Sequence, residues 1–156
     1  MEEAAEDALL EAEEITTKGA GQENLILLRR LRMKLHRQRG ELQESIELAR
    51  DAPGDKAGRY GKANLDLELG AAYRDLGPDW ADKTEKYLSR AAGEFENMGC
   101  PVEAAEALGE LSVYWRLTGE EEMAAENLQH AEKLLSSDQL KPQLSRFTEV
   151  FKARLP

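Results

Sequence analysis

The residues that could carry chemistry in this chain are two histidines, one cysteine, a short glycine-rich segment and several carboxylate pairs. The segment Gly54–Lys62 has the glycine and lysine content of a phosphate-binding loop. It departs from that loop because Lys56 stands where the first glycine should be. Ala63 then occupies the position where a serine or threonine would hold magnesium. We therefore interpret the segment as a loop followed by the start of a helix.

The histidines, the cysteine and the carboxylates do not form a recognisable catalytic or metal-binding pattern. His36 and His130 are far apart and lack companions at ligand spacing, whereas a metal site needs three or four converging groups. A helix start after Cys100 would favour its thiolate, but no histidine is near it in sequence. Pairs such as Glu13–Glu14 fall on predicted exposed faces rather than in a cleft. The sequence predicts no enzymatic activity, no catalytic residue, no metal and no cofactor.

A basic stripe runs through the second predicted helix and raises the question of nucleic acid. Its members are Arg29, Arg30, Arg32, Lys34, Arg37 and Arg39. We favour pairing with the acidic first helix, which carries Glu2, Glu3, Glu6, Asp7, Glu11, Glu13 and Glu14. Opposite charges would set the pairing of two antiparallel helices while adding little stability. Base-stacking aromatics are missing nearby, and the net charge of −10 repels phosphates.

Composition indicates one ordered helical domain. The chain has 156 residues, 41% hydrophobic and 33% charged, as in a folded domain. Ala, Leu, Glu, Lys and Arg dominate, and these residues favour helices, whereas only 6% aromatic residues argue against a sheet. A single cysteine excludes an internal disulfide and favours a reducing compartment. The acidic N-terminus lacks a secretory signal, and no apolar run approaches the ~20 residues of a membrane span, so we expect a cytoplasmic protein without a membrane partner.

Glycine and proline divide the chain into segments with helical apolar spacing, such as Leu65, Leu69, Ala72 and Leu76. Asp79 and, in the preceding break, Asp55 are predicted helix N-caps. We predict a single domain of eight helices, with the sixth starting at Pro101 after the turn residue Gly99. Their predicted ranges are 2–18, 22–39, 41–52, 56–76, 80–98, 101–118, 120–136 and 138–154.

The middle of the chain contains an internal repeat. Leu69-Gly70-Ala71-Ala72-Tyr73 is followed four residues later by Gly77, and Leu111-Ser112-Val113-Tyr114-Trp115 is followed four residues later by Gly119. The first turn is followed by Thr84, Leu88 and Ala91, and the second by Ala124, Leu128 and Ala131. In both sets the spacing is four residues and then three. Small residues let two antiparallel helices approach, and each hairpin leaves an apolar face that the next must cover.

This pattern resembles the tetratricopeptide repeat family, over about residues 63–135 and more weakly over 22–52. Leu69-Gly70 and Leu111-Ser112 match its Leu-Gly slot, and Tyr73 and Trp115 match its tyrosine. Asp66 and Leu108 stand in its tryptophan slot, where Asp66 is a departure. The repeat exceeds the family's usual ~34 residues, so it is similar to a long variant.

The resemblance implies a right-handed superhelical stack of antiparallel hairpins, a tetratricopeptide-like α-solenoid. The hairpins would span residues 22–52, 56–98 and 101–136, between capping helices 2–18 and 138–154. First helices of successive repeats would line a concave groove. The partner-binding positions carried over are Asn64, Leu67, Glu68, Ala71, Arg74, Glu106, Glu110, Val113 and Arg116, with Asp75, Gly109 and Leu117 beside them.

Carboxylates at the rim of this groove, Glu68, Glu106 and Glu110, predict a scaffold or adaptor that binds another protein. Its ligand would be a peptide or helix with basic residues beside an apolar anchor. A solvated helix face is the plainer interpretation of these carboxylates. Chaperone-binding members of the family clamp a C-terminal carboxylate with Lys and Asn residues. The matching positions here hold Leu67, Ala71, Gly109 and Val113, so this clamp is missing from the predicted groove.

Two other functions remain open on the sequence alone. One is a self-associating or groove-occluded regulatory domain, in which a terminal helix or a second copy, as in a homodimer, fills the groove. The other is a nucleic-acid-associated protein that uses the basic second helix, although the acidic charge makes nucleic acid the least expected partner.

Overall fold

The computed structural model describes residues 2–19, 22–51 and 58–152, with side chains except at 2–3, 13, 15–19 and 22–23. These residues form helices and turns without a strand, which confirms the predicted all-α class. In the described ranges the α-helices are α1 (Glu2–Gly19), α2 (Gln22–Gln38), α3 (Leu42–Arg50), α4 (Gly58–Leu76), α5 (Ala81–Asn97), α6 (Pro101–Leu117), α7 (Glu121–Leu134) and α8 (Lys141–Phe147). Short 3-10 helices occupy Pro78–Trp80 and Asp138–Leu140, and a π-helical turn occupies Thr148–Lys152.

The turn between α5 and α6 follows the predicted glycine–proline arrangement. Gly99 has a φ of +71°, a left-handed conformation that costs glycine little. The Cys100 N–H donates to the Phe95 carbonyl oxygen at 2.8 Å, which caps the end of α5. Pro101 then occupies the first turn of α6, where proline is tolerated because a backbone N–H at this position would have no acceptor within the helix.

The prediction that Asp79 is a helix N-cap is wrong. Asp79 lies inside the 3-10 helix Pro78–Trp80, and Trp80 holds the N-cap position of α5. The left-handed Gly77 (φ +119°) turns the chain directly into that 3-10 helix, so α5 starts later than expected. Asp55 lies outside the described residues.

The predicted continuous helix 138–154 is also broken. It consists of a 3-10 helix, the short α8 and the π-helical turn, and its last two residues are outside the described part. Pro142 lies in the first turn of α8. Because proline has no N–H, it cannot continue the hydrogen-bond ladder of the preceding turn, and a new helix begins there.

The main core lies between α4, α5, α6, α7 and the C-terminal segment (residues 138–152), and the consecutive helices from α4 to α7 pack against each other. Its largest fully buried side chains include Phe95, Leu67 and Leu88. Gly70 permits the close approach of α4 and α5, because a Cβ added there would lie 2.6 Å from Leu88 Cγ.

Helices α2 and α3 join α4 through two smaller clusters. Ile26 and Met33 of α2 pack with Leu65, while Ile46 of α3 packs with Leu69, Ala72 and Tyr73. The remaining N-terminal helix, α1, packs on α2. Helix α4 therefore has neighbours on nearly all sides, and its residues 63–74 are all buried.

Candidate functional site

The predicted groove positions on α4 are buried. Asn64, Leu67, Glu68 and Ala71 are at most 1% exposed, and Arg74 is 6% exposed. A polar group buried this deeply must have a partner to remain stable. The partners come mainly from α2.

Arg30 of α2 joins three polar side chains at one guanidinium. Its Nη1 donates to Asn64 Oδ1 at 2.7 Å, and its Nη2 donates to Glu106 Oε2 at 2.8 Å. Its Nε donates to Glu68 Oε1 at 3.3 Å. The side chain therefore connects α2 to α4 and α6, and it brings three of the predicted groove residues together.

Arg37, two helical turns later, forms a second junction. Its Nη1 donates to Asp75 Oδ2 at 3.3 Å, and its Nε lies 3.5 Å from Glu68 Oε2. Its Nη2 lies 3.8 Å from Glu110 Oε1. Between the two arginines, Lys34 Nζ is 3.5 Å from Glu106 Oε1. The three cations of α2 face the three carboxylates that the sequence placed on the groove rim.

A further buried ion pair joins α4 to α6. Arg74 Nη1 donates to a carboxylate oxygen of Glu110, and the two side chains are 3% and 7% exposed. Arg74 also contacts Asp75, with Nη2 2.9 Å from Oδ1. Glu68 and Glu110 are thus not on a solvated helix face.

Burial and charge compete at these groups. Burial raises the pKa of Glu68, although the Arg37 and Arg30 guanidinium groups pull it down. Burial acts to lower the pKa of Arg30, but the carboxylates of Glu106 and Glu68 outweigh it and raise that pKa. The balance is typical of a buried ion pair, in which desolvation offsets much of the attraction between the charges.

The face of α6 is only partly covered. Glu106 and Val113 are half-buried, and Gly109 lies under the ring of Phe151, which a Cβ at this glycine would approach to 2.7 Å. Arg116 does not join the other predicted positions, because it faces α7, with its Nε 3.9 Å from Glu121 Oε2.

A cleft of about 440 Å³ remains between α2, α6 and the C-terminal segment. One part of its lining is charged and the other apolar. The lining residues are Lys34, Arg37, Gln38, Val102, Glu106, Glu110, Leu135, Gln143, Arg146, Phe147, Val150 and Phe151. Its volume lies within the range of about 300–1,000 Å³ of ligand pockets.

The sequence prediction missed half of this cleft. It brought Glu106 and Glu110 into the site, but it assigned residues 138–154 to a cap and the α2 cations to pairing with α1. Arg30, Lys34 and Arg37 recur at helical spacing on one face of α2, which could have been matched to the acidic face of α4 and α6. The apolar stripe with Phe147 and Phe151 could equally have indicated a wall of the cleft.

Pairing between α1 and α2 is confirmed for Glu6. Its carboxylate accepts a hydrogen bond from Arg39 and lies 3.1 Å from His36 Nε2. The Arg39 hydrogen bond is the main cause of the lowered pKa of Glu6. Arg30 and Arg37 point instead to α4 and α6.

The candidate reactive groups, His36, His130 and Cys100, have ordinary structural surroundings. His36 Nδ1 is 2.5 Å from Glu41 Oε2, and His130 Nε2 is 3.2 Å from Glu96 Oε2. Within the described ranges, no group of three His, Cys, Asp or Glu residues could hold a metal ion. Burial and the nearby Glu103 raise the pKa of the Cys100 thiol, which opposes the thiolate that a helix dipole would favour.

Most of the Gly54–Lys62 segment lies outside the described residues. Gly58 begins α4, and Lys62 is exposed on that helix. Among the helices that the structure describes, none is long and apolar enough to cross a membrane.

Comparison with known proteins gives no relative. A scan of protein-family models found no matching family, and neither the curated proteins nor the solved structures gave a match.

Proposed function

We propose that this protein is a non-catalytic protein–protein interaction module that binds a peptide or helix of its partner in the cleft between α2, α6 and the C-terminal segment. The observation that carries the proposal is the cleft itself, which combines an apolar wall with charged side chains at its rim. Such a combination gives a peptide both an anchor and an orientation.

The same proposal includes a stack of antiparallel hairpins of tetratricopeptide type. The packing of Gly70 on Leu88 supports it, because small residues at this position let α4 and α5 approach as a hairpin. Asp66, the departure from the repeat pattern, accepts two hydrogen bonds from Arg90 of α5, both at 2.6 Å. This pair bridges α4 and α5 at the position where the family has an apolar side chain.

The cleft is a better peptide site than the face of α4. Glu68 is 1% exposed and its carboxylate faces two arginines of α2. A basic ligand could reach it only by displacing α2. Val102 and Val150, in contrast, line the open cleft and are 37% and 42% exposed.

Capture from native extract tests the cleft. The variant Val102→Asp, Val150→Asp places two charges on the apolar wall, while Leu117→Asp makes the same change at a side chain that is 70% exposed outside it. We expect a specific protein to be retained by the wild type and by Leu117→Asp, and lost from the cleft variant. Circular dichroism must show equal helicity. Equal retention by all three proteins would refute the cleft as the binding surface.

A groove-occluded regulatory domain is the second candidate, favoured by the α2 cations that cover Glu68, Glu106 and Glu110. In this case a partner's basic helix would replace α2 on the acidic face. A synthetic peptide of residues 22–39 should then bind the full chain in a fluorescence anisotropy titration. No binding at a peptide concentration of about 1 mM, the weak end of the affinity scale, would refute exchange of α2.

A further inference from the structure

We infer that the cleft selects a peptide segment that carries a carboxylate next to one large apolar side chain. The inference rests on the proposed function and deepens it, because it names the chemistry of the ligand. It follows from which charges at the cleft are already paired and which remain accessible.

The carboxylates of the cleft are committed to cations of the same chain. Glu106 is bonded to Arg30 at 2.8 Å and lies 3.5 Å from Lys34. Glu110 is held by Arg74, and its side chain is 7% exposed. A cationic ligand would therefore have to break these pairs before it gained new ones, which leaves buried charge uncompensated.

The cations of the rim are more accessible. Lys34 of α2 keeps 38% of its side chain exposed despite its contact with Glu106. Arg146 of α8 is exposed, and no ion pair to it is found among the side chains that the structure describes. Arg37 also lines the cleft, but its side chain is 7% exposed and already faces Glu68, Asp75 and Glu110, so it is not available to a ligand. Lys34 and Arg146 line the same cleft from different helices, α2 and α8, so a carboxylate bound there can face positive charge from both.

The apolar wall supplies the second requirement. Phe147 and Phe151 pack on each other with ring centroids 4.9 Å apart and are almost buried, while Val102 and Val150 extend this surface to solvent. A volume of about 440 Å³ accommodates a few side chains, so of the two ligand forms proposed above it favours an extended peptide over a helix of about 10 Å diameter. An extended peptide that inserts one large apolar side chain fits this shape, with its carboxylate at the cationic rim.

Selection from a phage-displayed library of random twelve-residue peptides tests the inference without knowledge of the natural partner. Enriched peptides are synthesised and titrated by fluorescence anisotropy against the wild type, Val150→Asp, Arg146→Glu and Lys62→Glu. Lys62 is the matched control, because it is an exposed lysine of α4 outside the cleft. Arg146→Gln separates loss of the cation from introduction of an anion.

We expect the enriched peptides to share an Asp or Glu close to a Leu, Phe or Trp. Their binding should weaken about tenfold in Arg146→Glu, the size of one lost hydrogen bond to a charged group, less in Arg146→Gln, and not in Lys62→Glu. Peptides that need Val150 but are basic or neutral, or are insensitive to Arg146, would overturn the inference and leave the interaction module intact. If no enriched peptide depends on Val150, both proposals fail.

Discussion

Gly109 lies where the ring of Phe151 leaves no space for a side chain. A Cβ at this position would come within 2.7 Å of two ring atoms, so Gly109→Ala should push the C-terminal segment away from α6. Overpacking costs about 1–3 kcal/mol, which exceeds the ~0.5–1 kcal/mol that alanine contributes in a helix. We expect a net loss of about 1 kcal/mol of unfolding free energy, measured by urea denaturation.

Gly93→Ala is the control for Gly109→Ala. A Cβ at Gly93, in the middle of α5, would meet nothing within 4 Å, so the variant should gain about 0.5–1 kcal/mol from helix propensity alone. Equal stabilisation by both substitutions would show that Phe151 does not rest on Gly109 in solution.

Glu68 should make the protein less stable as the pH rises. Burial raises its folded-state pKa above the value of about 4.3 for a free glutamate, so the folded state holds this proton more tightly. The stabilisation is present below the unfolded-state pKa and is lost as the pH rises through the folded-state pKa. Glu68→Gln lacks this titration, so its unfolding free energy relative to wild type should increase between pH 4 and pH 7.

Glu6 provides a control of opposite sign for the pH series. The Arg39 hydrogen bond lowers its pKa, so its contribution is present above the unfolded-state pKa and is lost as the pH falls. Relative to wild type, Glu6→Gln should therefore become less stable as the pH rises toward about 4.3, the unfolded-state pKa, and should then stay level up to pH 7. Parallel slopes for the two variants in urea denaturation would contradict these assignments.

Arg74 and Glu110 connect α4 to α6 as a buried pair. Arg74→Leu removes one of the cations that neutralise the Glu110 carboxylate and should lower the free energy of unfolding by about 3–5 kcal/mol. The double variant Arg74→Leu, Glu110→Leu should recover most of that loss. The coupling is measured by a double-mutant cycle in urea. Additive losses would indicate that the two helices are held together by their apolar contacts alone.

Helix positions could be predicted from this sequence because glycine, proline and apolar spacing act locally. Gly99 and Pro101 define a chain reversal whatever surrounds them. The break between Leu140 and Lys141, inside the predicted helix 138–154, was missed, although Pro142, which lacks the N–H that a helix interior needs, lies next to it.

Coverage of the α4 face could not be predicted in the same way. A carboxylate such as Glu68 at a helical position looks the same in sequence whether water or an arginine satisfies it. Deciding between them requires knowing which helix lies opposite, and that depends on contacts far apart in the chain. Arg30 and Glu106 illustrate this, because they meet only once α2, α4 and α6 are in place.

The molecule as a whole is unevenly stabilised. The main core joins α4 to the C-terminal segment, whereas α2 and α3 are attached through two small apolar clusters and the buried ion pairs. Helix α1 lies outermost. Its described side chains are exposed or half-buried, and Leu10 is 42% exposed.

Amide hydrogen exchange should therefore follow a gradient along the chain. Opening α1 exposes little apolar surface, so its amides should exchange fastest, those of α2 and α3 more slowly, and those of α4 to α6 slowest.

Salt provides an independent check, since at about 1 M the Debye length falls to about 3 Å. The Glu6–Arg39 pair at the α1–α2 contact is partly exposed, so the amide exchange rate of α1 should increase with salt. The Arg74–Glu110 pair is buried and less screened, so the exchange rates of α4 and α6 should stay unchanged. Uniform exchange across all helices would mean that the chain opens only as one unit, and that the α2 cations hold the N-terminal helices as firmly as the apolar core holds the rest.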